Sequence, residues 1–419
     1  MLVVFWVVVA ALAAAGWKLA RAAESDAAVT LPKLLAAMAA IGILLTFFPI
    51  TFAGDPYAYV AFGRLYGLYK VNPYHVGGPV DVSSDPILAQ CLRFYGNPPV
   101  GDNYGPLWTL VAGGLAWITQ ALPLFGQVWA ERAVALTAAI LAAAGVARLA
   151  AKHAPGSWKR GVALFAFHPV VLYEAAAEAH NDSIMVAFGV WAFALVAEYP
   201  LYAGLLLGAA CAVKYVAVIA APFLFVRAWK TSGIGSAAIA ILCAAAVPII
   251  SFVPFWVGPS SLSSLFAETA QSRTSPTWLA DALVGIFGAG DVRIGGLTPE
   301  RLISAVVALV LALVVGWSVV RCARLWDSRH VWRSIAALIY ALPNVYPWYT
   351  VWISPAIAAG GRWGSFAYWL GLLTFLHYAQ DAGRQPSGGT YVHALEGMVA
   401  VTMIALGAPI VIARRTALE

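Results

Sequence analysis

Long apolar runs separated by short polar stretches dominate the chain, and many approach the ~20 residues that a membrane-crossing helix needs. They fall near 1–17, 33–51, 127–150, 160–178, 183–198, 201–215, 216–228, 234–257, 301–320, 333–345, 346–361, 364–378 and 394–412. That pattern predicts an all-α, polytopic integral membrane protein of about thirteen crossings. The runs are continuous rather than alternating, which excludes a β-barrel. Two stretches break the rhythm and read as long loops on one side, 52–126 and 258–300. In the first, the aromatics Tyr57, Tyr59, Phe62, Tyr66 and Tyr69 predict an amphipathic helix lying in the membrane interface. Residues 106–122 are apolar enough to cross, but are read as interfacial or re-entrant for a reason that the charges supply. No 20–50-residue repeat and no low-complexity tail is present, so 1–419 reads as a single domain.

Composition changes the picture in one direction. Of 419 residues, 62% are hydrophobic and 11% charged, where a soluble domain has roughly 45–50% and 25%. The apolar surplus has to face lipid, which rules out a soluble enzyme and a disordered chain. The net charge of +6 then reports topology rather than nucleic-acid binding, because Lys and Arg collect in cytoplasmic loops. Lys18, Arg21 and Lys33 follow the first apolar run instead of preceding it, the reverse of a cleavable signal. A retained first helix with its N-terminus outside is expected. Parity then places Arg148 to Arg160, Arg227, Lys230, Arg321 to Arg333, Arg362 and the C-terminal Arg414 and Arg415 in the cytoplasm, as expected for a plasma-membrane protein. Counting 106–122 as a crossing would invert all of this. So would a single crossing over 201–228, which is therefore read as two short helices meeting near Lys214. The four cysteines give no disulfide or metal pattern.

On this map four polar clusters share the outer side. They are Asp55 and Arg64 after the second crossing, Glu174 to Asp182 in EAAAEAHND, Lys214 and Tyr215 in VKY, and Trp348 and Tyr349 in YPWYTVW. Polar groups at a membrane edge are unfavourable and usually functional, yet each has a plainer reading. Asp55 before Pro56 suits a helix cap, and Asp182 after Asn181 suits another. Lys214 could snorkel, Arg64 could anchor an ion pair, and Trp348 and Tyr349 suit an aromatic belt. Glu174 and Glu178 share a helix face and could form a metal or acceptor site, with structural hydrogen bonding as the plainer reading. His377 and His393 carry no expectation.

The segments DPYAYVAFGR, VNPY, YGPLW, HPVVLYEAAAEAHND, VKY and YPWYTVW, in this order over about 50–350, resemble the GT-C superfamily of polyprenol-phosphate-sugar-dependent glycosyltransferases. Within it, they are similar to the bacterial and actinobacterial polyprenyl-phosphate-mannose-dependent mannosyltransferases. The resemblance implies an inverting transfer of a hexose, with mannose expected, from a polyprenyl-phosphate donor. The implied acceptor is a lipid-linked or cell-envelope glycan on the extracytoplasmic side. It implies Asp55 as general base, with Lys214, Arg64 and His180 as candidates for the donor phosphate. Asn181, Asp182, Tyr57, Tyr104, Tyr215, Trp348 and Tyr349 are the candidates for substrate contact. Some members of the superfamily depend on a divalent cation (Mg or Mn); no ligand spacing here settles that. The expected partners are the lipid donor, the glycan acceptor and membrane lipids. The rival reading is a secondary transporter or lipid flippase with Glu174, Asp182 and Lys214 on its path, against which stands the lack of matching halves.

Overall fold

The computed structural model describes residues 2–50, 53–75, 80–95, 101–153, 155–263, 275–286, 298–378, 399 and 401–407. Among them the chain is helical and no strand forms. It divides into two compact units, Val9–Ala270 and Met1–Val8 with Gln271–Glu419. Among the described residues four helical stretches are long and apolar enough to cross a membrane: Val3–Ser25, Leu124–His153, Tyr215–Phe255 and Arg301–Arg324. Shorter apolar helices accompany them, giving the polytopic membrane architecture expected.

The larger unit runs α1 (Leu2–Ser25), α2 (Leu31–Leu45), α3 (Asp55–Gly67), α4 (Pro86–Tyr95), α5 (Pro106–Thr119), α6 (Leu124–His153), α7 (Trp158–Ala166), α8 (Pro169–Ala176), α9 (Asp182–Leu195), α10 (Pro200–Val213) and α11 (Ala221–Phe252); α1 begins in the smaller unit. The break expected near Lys214 is present. That residue is extended (φ −150°, ψ 119°) between α10 and a 3-10 turn, Tyr215–Ala220. A second break, at Gly233 (φ 87°, ψ 170°), folds α11 into two arms, since only glycine enters that region without steric cost. The outer arm then runs beside α10, where Gly204 and Gly208 lie against the backbone of Ala240 and Ala244. Small residues four apart let two helix backbones approach closely in the absence of a hydrophobic drive.

Three expectations are corrected. The run 160–178 is two helices, because Pro169 removes a backbone donor and holds His168 extended (φ −63°, ψ 128°). His168 then caps α8, its Nδ1 accepting from the Val170 N–H at 3.2 Å. The run 346–361 is no continuous helix either: Pro347, Pro355 and the left-handed Gly360 and Gly361 divide it into a 3-10 turn and short pieces. Lastly, α3 lies enclosed by protein rather than with one face out. Ala58 through Leu65 are all buried, because Gly63 and Gly67 let α3 settle onto the backbone of α5 at Ala112 and Gly113. Much of the last predicted crossing, 394–412, and about half of 258–300 fall outside the described residues.

The smaller unit contains α12 (Pro276–Ile286), α13 (Pro299–Arg324), α14 (Arg329–Ala341), α15 (Pro355–Ala359) and α16 (Gly361–Thr374). Within it Phe5 packs edge-on against Phe375 and Tyr378, and Arg333 lies 4.6 Å from the Trp317 ring centre.

Candidate active site

The site is built where α3, the α8–α9 turn and the α10 terminus meet in the larger unit. Asp55 opens α3. After α8 the chain reverses through Ala179 in the left-handed region (φ 58°), a conformation that is strained in a non-glycine residue. The His180 N–H donates to the Glu174 carbonyl at 2.8 Å. The reversal places His180 between two carboxylates: Nε2 lies 3.3 Å from Asp55 Oδ2 and Nδ1 lies 2.8 Å from Glu174 Oε2. Glu174, His180, Asn181 and Asp182 are fully buried. Lys214, freed from helical geometry by the break, reaches both oxygens of Asp182, at 2.9 and 2.8 Å.

Exposure separates the roles. In the pairs His180–Asp55 and Lys214–Asp182 one partner is wholly buried, while Asp55 keeps 20% of its side chain exposed and Lys214 15%. Burial alone would raise the Asp55 carboxyl. The bond and charge of His180, then the Lys214 charge and the Tyr104 hydroxyl, outweigh burial and hold it below its ordinary value. Burial would likewise lower His180, but its bonds to Asp55 and Glu174 and their charges push it up to about 10. The pair is therefore a carboxylate and an imidazolium at neutral pH.

The first loop closes over this centre. The Gly105 N–H donates to the Val213 carbonyl at 3.0 Å, and a β-carbon on Gly105 would collide with the Ala212 carbonyl oxygen. That contact joins YGPLW to VKY. Tyr104 packs edge-on to Tyr59 at 4.9 Å, and the Tyr59 hydroxyl accepts from the Asn181 N–H at 3.5 Å. Tyr74 donates to the Tyr104 carbonyl at 2.8 Å, and the Thr109 hydroxyl donates to the buried Asp102 at 2.7 Å. Burial, against bonds from Thr109 and the Tyr104 N–H, pushes Asp102 up to about 7. Tyr215 is half-buried beside Lys214, and Tyr57 stacks on Phe94 at 4.4 Å. The Asn181 side-chain amide and the Ser183 hydroxyl are buried without a hydrogen-bond partner among the described residues.

Asp55, His180, Asn181, Asp182, Lys214, Tyr57, Tyr104 and Tyr215 thus belong to one unit and one region, with Glu174 added as the second carboxylate on His180. Arg64 is engaged elsewhere: its Nε lies 2.7 Å from Asp85 and its Nη1 donates to Gln127 at 3.0 Å. Trp348 and Tyr349 lie in the smaller unit, in an aromatic stack with Tyr346 and Trp352. His393 lies outside the described residues. Among the described residues no three of His, Cys, Asp or Glu are grouped to hold a metal ion. Asp55 and Glu174 turn to His180, and Asp182 to Lys214.

No curated protein matches the chain. The family model described as alpha-(1->6)-mannopyranosyltransferase, N-terminal domain (MptA_B family), matches residues 1–230, a span that takes in α3, the His180 turn and Lys214. Because that match covers more than half of the 419 residues, the chain belongs to this mannosyltransferase family.

Proposed function

We propose that this membrane glycosyltransferase moves a mannosyl residue from a polyprenyl-phosphate donor to a lipid-linked or cell-envelope glycan on the extracytoplasmic side, with inversion. The observation that carries this reading is the contrast in exposure. Asp55 and Lys214 reach outward from a cluster whose remaining ionic members are wholly buried.

In the reaction the acceptor hydroxyl oxygen attacks the anomeric carbon as the bond from that carbon to the phosphate oxygen breaks. The hydroxyl proton goes to Asp55, and the bonding pair leaves with the phosphate. A phosphate leaving group needs no proton, so one working carboxylate suffices where a glycosidase uses two. His180 keeps that carboxylate ionised and oriented, held in turn by Glu174. Lys214 puts positive charge beside it, where charge-assisted bonds to developing phosphate charge are strong. The buried Asn181 amide offers donors and an acceptor to sugar hydroxyls.

The test is transfer of labelled mannose from polyprenyl-phosphate-mannose to a membrane lipid extract. Asp55→Asn should lower the rate by roughly 10²–10⁴-fold, the range for a lost general base, with expression and thermal stability retained. A rate within a few-fold of the parent would remove Asp55 from the chemistry.

A further inference from the structure

Three of the cations near the site are already engaged: Arg64 with Asp85 and Gln127, His180 with two carboxylates, and Lys214 with Asp182. Arg132 on α6 differs. It is 1% exposed and lies in an apolar helix long enough to cross a membrane. Its Nη1 donates to the Thr46 carbonyl at 2.6 Å, one of the carbonyls left over at the end of α2. Its Nε and Nη2 are buried and have no hydrogen-bond partner among the described residues. Among those residues no carboxylate forms an ion pair with it. The groups that act on it electrostatically are Glu178, Tyr173 and Tyr57. A desolvated guanidinium with two nitrogens unused is strongly unfavourable unless something occupies the space beside it.

Its surroundings say what the occupant is. Tyr57 follows Asp55 by two residues on α3, and Glu178 precedes His180 by two, so the guanidinium adjoins the cluster that holds the base. Toward the outside, Trp129, nearly one turn before Arg132, donates Nε1 to the Thr46 hydroxyl at 3.0 Å. Its ring lies 6.5 Å from that of Phe47. Trp129 is 40% exposed, Phe47 60% and Leu44 72%. The seam between α2 and α6 is therefore an apolar surface fit for lipid, with an unsatisfied planar fork of N–H donors behind it. Such a fork matches a phosphate.

We propose that Arg132 anchors a buried anion site for the phosphate of a prenyl-phosphate lipid, whose isoprenoid chain lies along the Phe47–Trp129 seam. The ligand class rests on the polyprenyl donor proposed above. Glu178 is the carboxylate whose charge acts on Arg132, so it competes with the incoming phosphate.

The test follows thermal stabilisation of the full-length, detergent-solubilised protein against concentration of farnesyl phosphate, with farnesol, inorganic phosphate and phosphatidylglycerol as separate arms. Farnesyl phosphate should bind better than each of the others. Arg132→Gln should weaken it about ten-fold or more, as expected when a charged hydrogen-bonding partner is lost. Arg132→Lys should weaken it less, and Glu178→Gln should tighten it. Affinity within two-fold of the parent in the Arg132 variants, or Arg132-dependent binding of phosphatidylglycerol but not farnesyl phosphate, overturns the proposal. If Arg132→Gln does not fold, Arg132→Lys and Glu178→Gln decide, and no change in both overturns it. Arg132-dependent farnesyl phosphate binding without mannose transfer would sink the transferase reading and leave this site standing. Asp55-dependent transfer with an unchanged donor KM in Arg132→Lys would do the reverse.

Discussion

At the scale of single residues, the imidazole between Asp55 and Glu174 makes stability depend on pH with a definite sign. His180 is raised from 6.5 to about 10 in the folded protein. Its contribution is therefore fully present below about pH 6.5 and is lost as pH rises through about 10. Asp55 is lowered from 3.8, so its contribution is present above that value and is lost as pH falls through the lower folded value. The expected result is a thermal midpoint in detergent that declines across the alkaline window and is flattened by His180→Gln. An equal alkaline decline in the variant would place the titration on another group. Arg64 gives a different prediction. Arg64→Met leaves Asp85, 3% exposed, buried without its cation, which costs about 3–5 kcal/mol. Thermal unfolding should show that loss, and a midpoint equal to the parent's would refute the buried pair. An ion pair was among the readings of Arg64, but its partner was not legible in the sequence: Asp85 lies 21 residues away across a turn-rich loop, and no local pattern announces it. Arg132 was hidden for a related reason, since a lone cation in the apolar first half of a 30-residue helix reads as part of the span. Asp55, His180 and Lys214 share one side by charge parity and were singled out among its polar groups by the family resemblance, and they meet in one region.

Among elements, two glycines on or beside α5 make opposite predictions. A β-carbon on Gly105 would collide with the Ala212 carbonyl oxygen, whereas one on Gly114 meets nothing within 4 Å. Gly105→Ala should separate the first loop from the Lys214 turn, lowering both thermal stability and transfer. Gly114→Ala should be neutral or add up to about 1 kcal/mol through helix propensity. Equal behaviour of the two variants in a melt would remove the close approach from the account. The same close packing explains why α3 was misread. Its aromatics have the spacing of an amphipathic helix, but Gly63 and Gly67 let α5 cover the remaining face, and helical periodicity cannot register contact through backbone. The break at Lys214 was legible because a single crossing there contradicts every charge that follows. The break at Pro169 had a local signal, His-Pro, within a run whose hydrophobicity concealed it.

Across the larger unit, contacts sort residues into two ends. Arg148 and Lys152 pair with Glu198, Arg160 with Glu24, and Ser232 donates to the Ala197 carbonyl. At the other end Asp55 meets His180, Gly105 meets Val213, and the Asn72 side chain donates to the Phe255 carbonyl at 2.8 Å. Each contact joins residues at the same end of the crossings that charge counting laid out, although none of these pairings entered that count. The orientation is testable because the native cysteines give little background: Cys91, Cys211 and Cys322 are buried and Cys243 is partly so. A Ser84→Cys variant, exposed at the first loop, should react with a membrane-impermeant maleimide on intact cells. Ser157→Cys, exposed at the start of α7, should react only after permeabilisation. The opposite pattern would reverse the protein in the membrane.

The bond from Asn72 to Phe255 spans 183 residues, and Tyr66 and Tyr74 also pack against Phe255, at 4.8 and 5.1 Å. On the ribosome, then, the first loop emerges long before the aromatic group that completes its core. Until α11 has been inserted, Tyr66 and Tyr74 lack that cover. The nascent first loop lacks this packing until the second arm of α11 has been made.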